Sequence, residues 1–398
     1  MKSASANWRC TNCPFCQSVL SSPIDIIAFQ IIAVYSLRIA DYRPVKQQIQ
    51  FCTTSDGVRI AYATSGAGPP LVKVSNWMGH LEFDWSSPVW RHWLTELSRD
   101  HTLVRYDARG CGLSDWNVAQ LSFELWVQDL ETVVDAAGVS KFPLLGIAAG
   151  APIAVTYAVR HPDRVSHLIL YGPFARGWLK RDLAPAQRKV AEMMVGLAEL
   201  GWSQENPAFR QFFTTQFFPD GTPEQHGWIN ELKRISTSPQ NAAQFFRIVN
   251  DIDVTGLAAE VRCPTLVLHP DRDVRVPFEE GRLFASLIPK ARFVPLDSCN
   301  HIVLEHEPAW RRCLDEVRLF LSARLPGEPA FAGLTPREAE VIELIAQGLD
   351  NAQIAARLAL SEKTVRNSIT SIFRKLSVES RSQAIVLARD AGLGRKPR

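Results

Sequence analysis

The stretch Leu144-Leu145-Gly146-Ile147-Ala148-Ala149-Gly150 has the spacing of a turn built for nucleophilic chemistry, but its central residue cannot perform it. In a G-x-S-x-G turn an apolar strand runs in and a helix runs out. The turn lifts its central side chain above the sheet, where a serine oxygen can attack. Glycines stand two residues to either side because strand and helix pack too tightly there for side chains. Here the lifted residue is Ala148. A methyl group attacks nothing, and Cys111 and Cys299 sit in other loops, so no nearby thiol takes its place.

The elements that would position such a turn begin at Gln48. Gln50–Thr53 and Val58–Thr64 read as a hairpin around Ser55-Asp56-Gly57. Short apolar strands follow at Leu71–Val74, Leu103–Tyr106, Phe142–Leu145, His167–Tyr171, Thr265–Leu268 and Phe293–Leu296. Helical stretches alternate with them at Leu121–Ala137, Ala149–Arg160, Glu279–Leu287 and Ala309–Leu321. That alternation predicts a mostly parallel sheet covered by helices on both faces. Residues 174–260 interrupt it with a helical, Phe-rich insertion. Such an insertion lies over the C-terminal ends of the strands, where open α/β sheets bind ligands. Residues 323–331 read as a linker, since Leu325-Pro-Gly-Glu-Pro-Ala330 has two prolines and a glycine in six residues.

After the linker come four short helical segments. Thr335 is an N-cap, Pro336 takes the first helical position, and Glu338 completes a capping box. Asn351–Leu358 is a second helix, Ala359-Leu360-Ser361 a turn, and Glu362–Leu376 a third helix capped by Ser361. This is helix-turn-helix spacing, in which the second helix of the pair enters the DNA major groove.

A length of 398 residues and an apolar fraction of 46% suit an ordinary globular chain of two or more domains. The net charge of +3 hides an asymmetry: residues 331–398 carry eleven Lys/Arg against seven Asp/Glu, which leaves about −1 for the first 330. The basic excess sits where a nucleic-acid module would need it. The eight cysteines form no disulfide framework, and a reducing cytoplasm is expected. Cys10, Cys13 and Cys16 lack a fourth ligand within reach, so no metal is expected, and residues 1–45 are read as an unassigned, disordered extension. The longest uncharged apolar run, Ile26 to Leu37, is too short to span a membrane.

Residues 48–322 resemble the α/β-hydrolases, with a helical cap at 174–260. Asp107-Ala-Arg109-Gly110-Cys-Gly112-Leu-Ser114 is similar to the turn after the fourth strand of that fold, and Gly146–Gly150 to its nucleophile elbow. His269-Pro-Asp-Arg-Asp273 resembles the segment carrying the triad acid, and Asn300-His301 the late triad histidine. The resemblance implies a degenerate triad of Ala148, Asp273 and His301. It places the oxyanion donors at Ala149 and at about Trp77, although the usual His-Gly pair is absent. Losing the nucleophile removes nearly all of the covalent route, because the triad acts as a unit. Asp107 and Arg109 are expected to be structural turn residues. A pocket walled by Trp77, Ala148, Phe212, Phe213, Phe217, Trp228 and His301 is expected to hold a small molecule. The rival expectation is a serine-independent enzyme using His301 and Asp273 as a general base.

The C-terminal segment, 332–395, resembles the LuxR-type DNA-binding domain in Leu334-Thr335, Arg337-Glu338, Gly348, Ile354-Ala355, Leu358, Ser361, Thr364-Val365, Lys375-Leu376, Arg381 and Ala384. The family often has a histidine where Ser368 stands. Resemblance and helical spacing together place Arg366, Asn367 and Thr370 toward base edges, with Lys363, Thr364, Arg374 and Lys375 toward phosphates. The apolar stretch Ala384–Ala388 corresponds to the family's usual dimerisation surface. The combined expectation is an α/β-hydrolase-fold domain followed by an all-α, four-helix LuxR-type domain. It is read as a cytoplasmic homodimer that binds double-stranded DNA and a small-molecule ligand, needs no cofactor and does not associate with membranes.

Overall fold

The computed structural model describes residues 47–76, 78–322, 331, 334–376, 378 and 380–394, without the side chain of Arg374. The cysteine cluster at 10, 13 and 16, Trp77, most of the linker and the Arg374 side chain therefore lie outside the described residues.

Eight strands form one sheet: β1 (Gln48–Thr53), β2 (Arg59–Ser65), β3 (Pro70–Lys73), β4 (Thr102–Tyr106), β5 (Phe142–Ile147), β6 (Val165–Tyr171), β7 (Thr265–Pro270) and β8 (Arg292–Leu296). Their order is β1-β2-β4-β3-β5-β6-β7-β8. The first two pairings are antiparallel and the rest parallel. Every residue of β7 is buried, as is nearly every residue of β5 and β6. Strands covered on both faces read as continuous apolar runs, and these do. The edge strands β1 and β8 carry exposed positions, and β1 leaves Phe51 outside.

Helices α1 (Arg91–Asp100), α2 (Phe123–Ala136), α3 (Gly150–Arg160), α9 (Phe278–Leu287) and α10 (Pro308–Ser322) cover the sheet. The insertion contributes α4 (Pro185–Gly201), α5 (Ala208–Phe217), α6 (Pro223–Ser236), α7 (Pro239–Asp251) and the single turn α8 (Thr255–Ala258). Three of them start at proline, and Thr222 and Ser238 cap α6 and α7 through their hydroxyls. The parallel strands matter for function because their C-terminal ends converge. Asn76 follows β3, Ala148 follows β5, Phe174 follows β6, Asp273 follows β7 and His301 follows β8.

The C-terminal helices are α11 (Pro336–Ala346), α12 (Asn351–Leu358), α13 (Glu362–Leu376) and α14 (Arg381–Asp390). The capping box of Thr335 and Glu338 is present, and a second joins Asp350 to Gln353. The turn between α12 and α13 is made by Ala359 in the left-handed region, at φ +52°. Val365, Ile369, Ile372 and Leu376 give α13 one buried face, against Ile342, Ile345, Ile354 and Ala384. Ala384 and Ala388, read above as part of a dimerisation surface, are fully buried in this core, and only Val386 of that stretch is openly exposed.

Candidate functional site

The elbow forms as its glycines require. A Cβ on Gly146 would lie 2.8 Å from the Ala151 Cα, and one on Gly150 would press on Ser75 and Asn76 at 3.3–3.4 Å. Between them Ala148 is held at φ +48°. A left-handed residue with a Cβ costs roughly 1–2 kcal/mol, so the turn keeps its strain although no nucleophile uses it. The Ala148 amide donates to the Tyr171 carbonyl at 2.9 Å. Ala149 stands at the N-cap of α3 and offers no side-chain cap, and the first amides of a helix have no intrahelical acceptor.

His301 and Asp273 meet as a dyad. His301 Nδ1 lies 2.6 Å from Asp273 Oδ2, both side chains fully buried. Asp273 Oδ1 accepts from the Arg275 and Val276 amides at 2.8 and 3.0 Å. Burial pushes the Asp273 carboxyl up, but the His301 charge, its hydrogen bond and the backbone donors outweigh this and hold it below its ordinary value. When the imidazole is neutral, an ionised Asp273 fixes its one proton on Nδ1. Nε2 is then an acceptor, buried and without a hydrogen-bond partner. Gly172 makes room for the ring, since a Cβ there would stand 2.9 Å from His301 Cε1. The insertion reaches the dyad directly: the His301 amide donates to the Phe217 carbonyl at 2.8 Å, and the Phe217 ring meets the imidazole edge-on at 5.3 Å.

A cleft of about 880 Å³, counted to its open mouth, lies above the elbow. Ala148, Ala149, Phe217 and His301 line it, as four of the residues read from sequence. Phe212, Phe213 and Trp228 do not. Phe213 is fully buried in the cap's own core, stacked 5.0 Å from Phe246 with Trp202 at 5.4 Å. Phe212 is exposed with its ring edge-on to Phe213 at 5.7 Å, and Trp228 stacks on Phe83 at 4.5 Å. Aromatic content alone does not distinguish a cap's core from its cavity face. Residues not read from sequence take their places: Trp90, Phe174, Trp178, Phe245, Asn76 and three cations, Arg181, Lys233 and Arg275. Asn76 Oδ1 accepts from Lys73 Nζ at 2.6 Å, and burial lowers that ammonium to about 8.

Asp107 and Arg109 hold turns and do not line this cleft. Asp107 Oδ2 accepts from the Leu81 and Leu113 amides. Arg109 bonds fully buried Asp129 through Nε and Nη2 and reaches Asp56 at 2.7 Å.

In the C-terminal helices, Lys363, Thr364, Arg366, Asn367 and Thr370 form an exposed face of α13 opposite its buried one. Thr370 Oγ1 donates back to the Arg366 carbonyl at 3.0 Å. Lys375 is tied inward, with Nζ 2.6 Å from Glu338 Oε2, and Ser371 donates to the other Glu338 oxygen.

The family model of the alpha/beta hydrolase fold matches residues 77–308. That of the bacterial regulatory proteins of the luxR family matches residues 332–388. The chain belongs to the α/β-hydrolase family and carries a LuxR-family DNA-binding domain after it. The hydrolase-fold domain is 26% identical over 242 residues to pyrrolizixenacetamide deacetylase of Xenorhabdus hominickii, covering 60% of this chain and 86% of the relative. It is 26% identical over 265 residues to 2-hydroxymuconate semialdehyde hydrolase of a Pseudomonas species, covering 62% and 84%. Among solved structures it is similar to a Pseudomonas aeruginosa hydrolase, at 25% identity and TM-score 0.58, covering 69% of this chain and 99% of that one. A Rhodococcus esterase gives 26% identity and TM-score 0.57, covering 69% and 98%. None of the helices in the described residues is long and apolar enough to cross a membrane.

Proposed function

We propose that this protein is a transcriptional regulator whose hydrolase-like domain binds a small organic molecule without turning it over. Binding in the cleft changes the DNA affinity of the LuxR-type domain. One observation carries the reading: the elbow presents Ala148 to a cleft that retains the His301–Asp273 dyad. Binding without reaction is useful only if it changes something else, and the chain holds a DNA-binding domain. The relatives named as a deacetylase and a hydrolase support an ancestry in acyl chemistry. We assign Arg366, Asn367 and Thr370 to base edges and Lys363 and Thr364 to phosphates, with Arg374 and Lys375 as further phosphate contacts. Lys375 would have to leave Glu338, or share it, to serve. The working unit in this reading is a cytoplasmic homodimer.

A second reading has support from the unpartnered His301 Nε2, which could act as a general base without a serine. The same experiment separates the two. The purified protein should hydrolyse p-nitrophenyl butyrate no faster than its His301→Ala variant. Burst kinetics would refute the loss of the nucleophile, and steady His301-dependent turnover without a burst would favour the dyad enzyme.

A further inference from the structure

The cleft's charge is one-sided. Arg181, Lys233 and Arg275 line it, and no aspartate or glutamate among the described residues does. Lys233 Nζ bonds only neutral oxygens, Thr214 Oγ1 at 2.6 Å and the Arg210 carbonyl at 3.3 Å. Arg275 Nη1 has weaker partners still, Gln216 Oε1 at 3.5 Å and Met194 Sδ at 3.9 Å. Both side chains approach the Phe217 ring, with Lys233 Nζ 5.8 Å and Arg275 Cζ 5.3 Å from its centroid. Their residues are only 5% and 9% exposed, and neither is in a salt bridge among the described residues. Arg181 differs, because Glu280 lies 3.8 Å from it, although Glu280 is also held by Arg176 at 2.8 Å. Asp273, two residues before Arg275 in the chain, is engaged by His301 and two amides, with His269 Nε2 3.6 Å away.

Buried cations are ordinarily paired, because an isolated charge loses its hydration and gains nothing in return. We infer that the missing partner is the ligand: an organic anion, a single carboxylate on an apolar body of aromatic size, its charge held by Lys233 and Arg275 beside Phe217. The inference rests on the reading of this domain as a ligand binder and names the class of molecule bound. A neutral ester or amide would leave both cations uncompensated, and a metal cation would be repelled. The rest of the wall suits the apolar body, since Phe174, Trp178 and Phe245 face the same space. Burial and the neighbouring Arg275 charge hold the Lys233 ammonium well below its usual range, and burial lowers Arg275 to about 10. An anion beside them offsets both shifts by favouring the charged forms.

The test compares phenylalkanoates, from benzoate to 6-phenylhexanoate, with their primary amides. Each is titrated into the full-length protein at pH 7 by calorimetry and by quenching of the cleft tryptophans, Trp90 and Trp178. The carboxylate of the best-fitting length should bind about tenfold to a hundredfold more tightly than its amide, the range for a charge-assisted hydrogen bond. Lys233→Met and Arg275→Met should each reduce that preference, read as the ratio of carboxylate to amide affinity within each variant, with melting curves confirming the fold. The wild-type comparison needs neither variant. Equal affinity for acids and amides overturns the anion and leaves the ligand-binding reading standing. A preference that survives both substitutions overturns the assignment to Lys233 and Arg275. Failure of every acid and every amide to bind overturns both readings together.

Discussion

Replacing Ala148 by serine adds one oxygen to a Cβ already held at φ +48°. Serine and alanine bear the same left-handed penalty, so no new backbone strain arises. The new hydroxyl meets a specific deficit, since His301 Nε2 is a buried acceptor with no partner. A buried polar group left unmade costs roughly 1–3 kcal/mol, and a typical hydrogen bond returns about 0.5–1.5 kcal/mol net. Ala148→Ser should therefore stabilise the hydrolase-fold domain by about 1 kcal/mol, roughly 2–4 °C in Tm for a domain of this size. It should also create a reactive hydroxyl, because Nε2 can take its proton while Asp273 holds Nδ1. The assay is thermal melting together with labelling by a fluorophosphonate, which demands a nucleophile and base but little fit to an acyl pocket. One phosphonyl group per chain is expected. Labelling should run about 10³-fold or more faster than in the Ala148→Ser/His301→Ala double variant, a small part of the ~10⁶ a full triad can supply. An unchanged or lowered Tm with no labelling would refute the claim that His301 is aimed at the elbow.

Arg109→Met should cost about 3–5 kcal/mol in urea denaturation, because it strands fully buried Asp129 without a counter-charge; a loss under ~1 kcal/mol would contradict its structural role. Glu338 is held down at about 2, burial opposing but outweighed by Lys375, the Thr335 amide and Ser371. Its contribution to stability is fully present above pH 4.5, its ordinary value, and is lost as pH falls through about 2. Acid melts of the full chain should show that loss in the C-terminal transition, and Glu338→Gln should flatten it. Arg366→Ala should cost about 1–3 kcal/mol on a selected site and relax its sequence preference, whereas Lys363→Ala should weaken binding to all DNA alike; equal losses on selected and random DNA for Arg366→Ala would refute its assignment to base edges.

The strands were legible because buried parallel strands are unbroken apolar runs, and β5, β6 and β7 are such runs, each two residues longer at one end than its apolar core suggests. Helix α1 was not read from the sequence. Its start, Trp90, offers no side-chain cap, and its buried positions include His92 and Ser98 as well as Trp93, Leu94 and Leu97. The elbow and the dyad were legible because glycine spacing and motif order survive the loss of the serine. The cleft was half legible. Phe217 faces it and Phe213 does not, although both lie on α5, because Phe213 is drawn into the stack with Trp202 and Phe246. Lys233 and Arg275 escaped notice because a basic residue in a sequence ordinarily reads as solvated surface. Only the fold brings α6 and the loop after β7 to one aromatic ring. In the C-terminal domain, helix periodicity separated the buried and exposed faces of α13. It gave no sign that Lys375 would be drawn to Glu338 across the domain.

The central claim is a coupling between the cleft and DNA. It is tested most directly by titrating the best-binding phenylalkanoate into the full-length protein, alone and then saturated with a DNA fragment selected by that protein from a random pool. A ligand can shift the DNA-binding equilibrium only through its difference in affinity for the two states, and linkage makes the effect reciprocal. The account predicts that DNA changes the affinity for the carboxylate by roughly 5- to 150-fold, and that saturating carboxylate changes the affinity for DNA by the same factor. Tight carboxylate binding with identical affinity in the two titrations would contradict it.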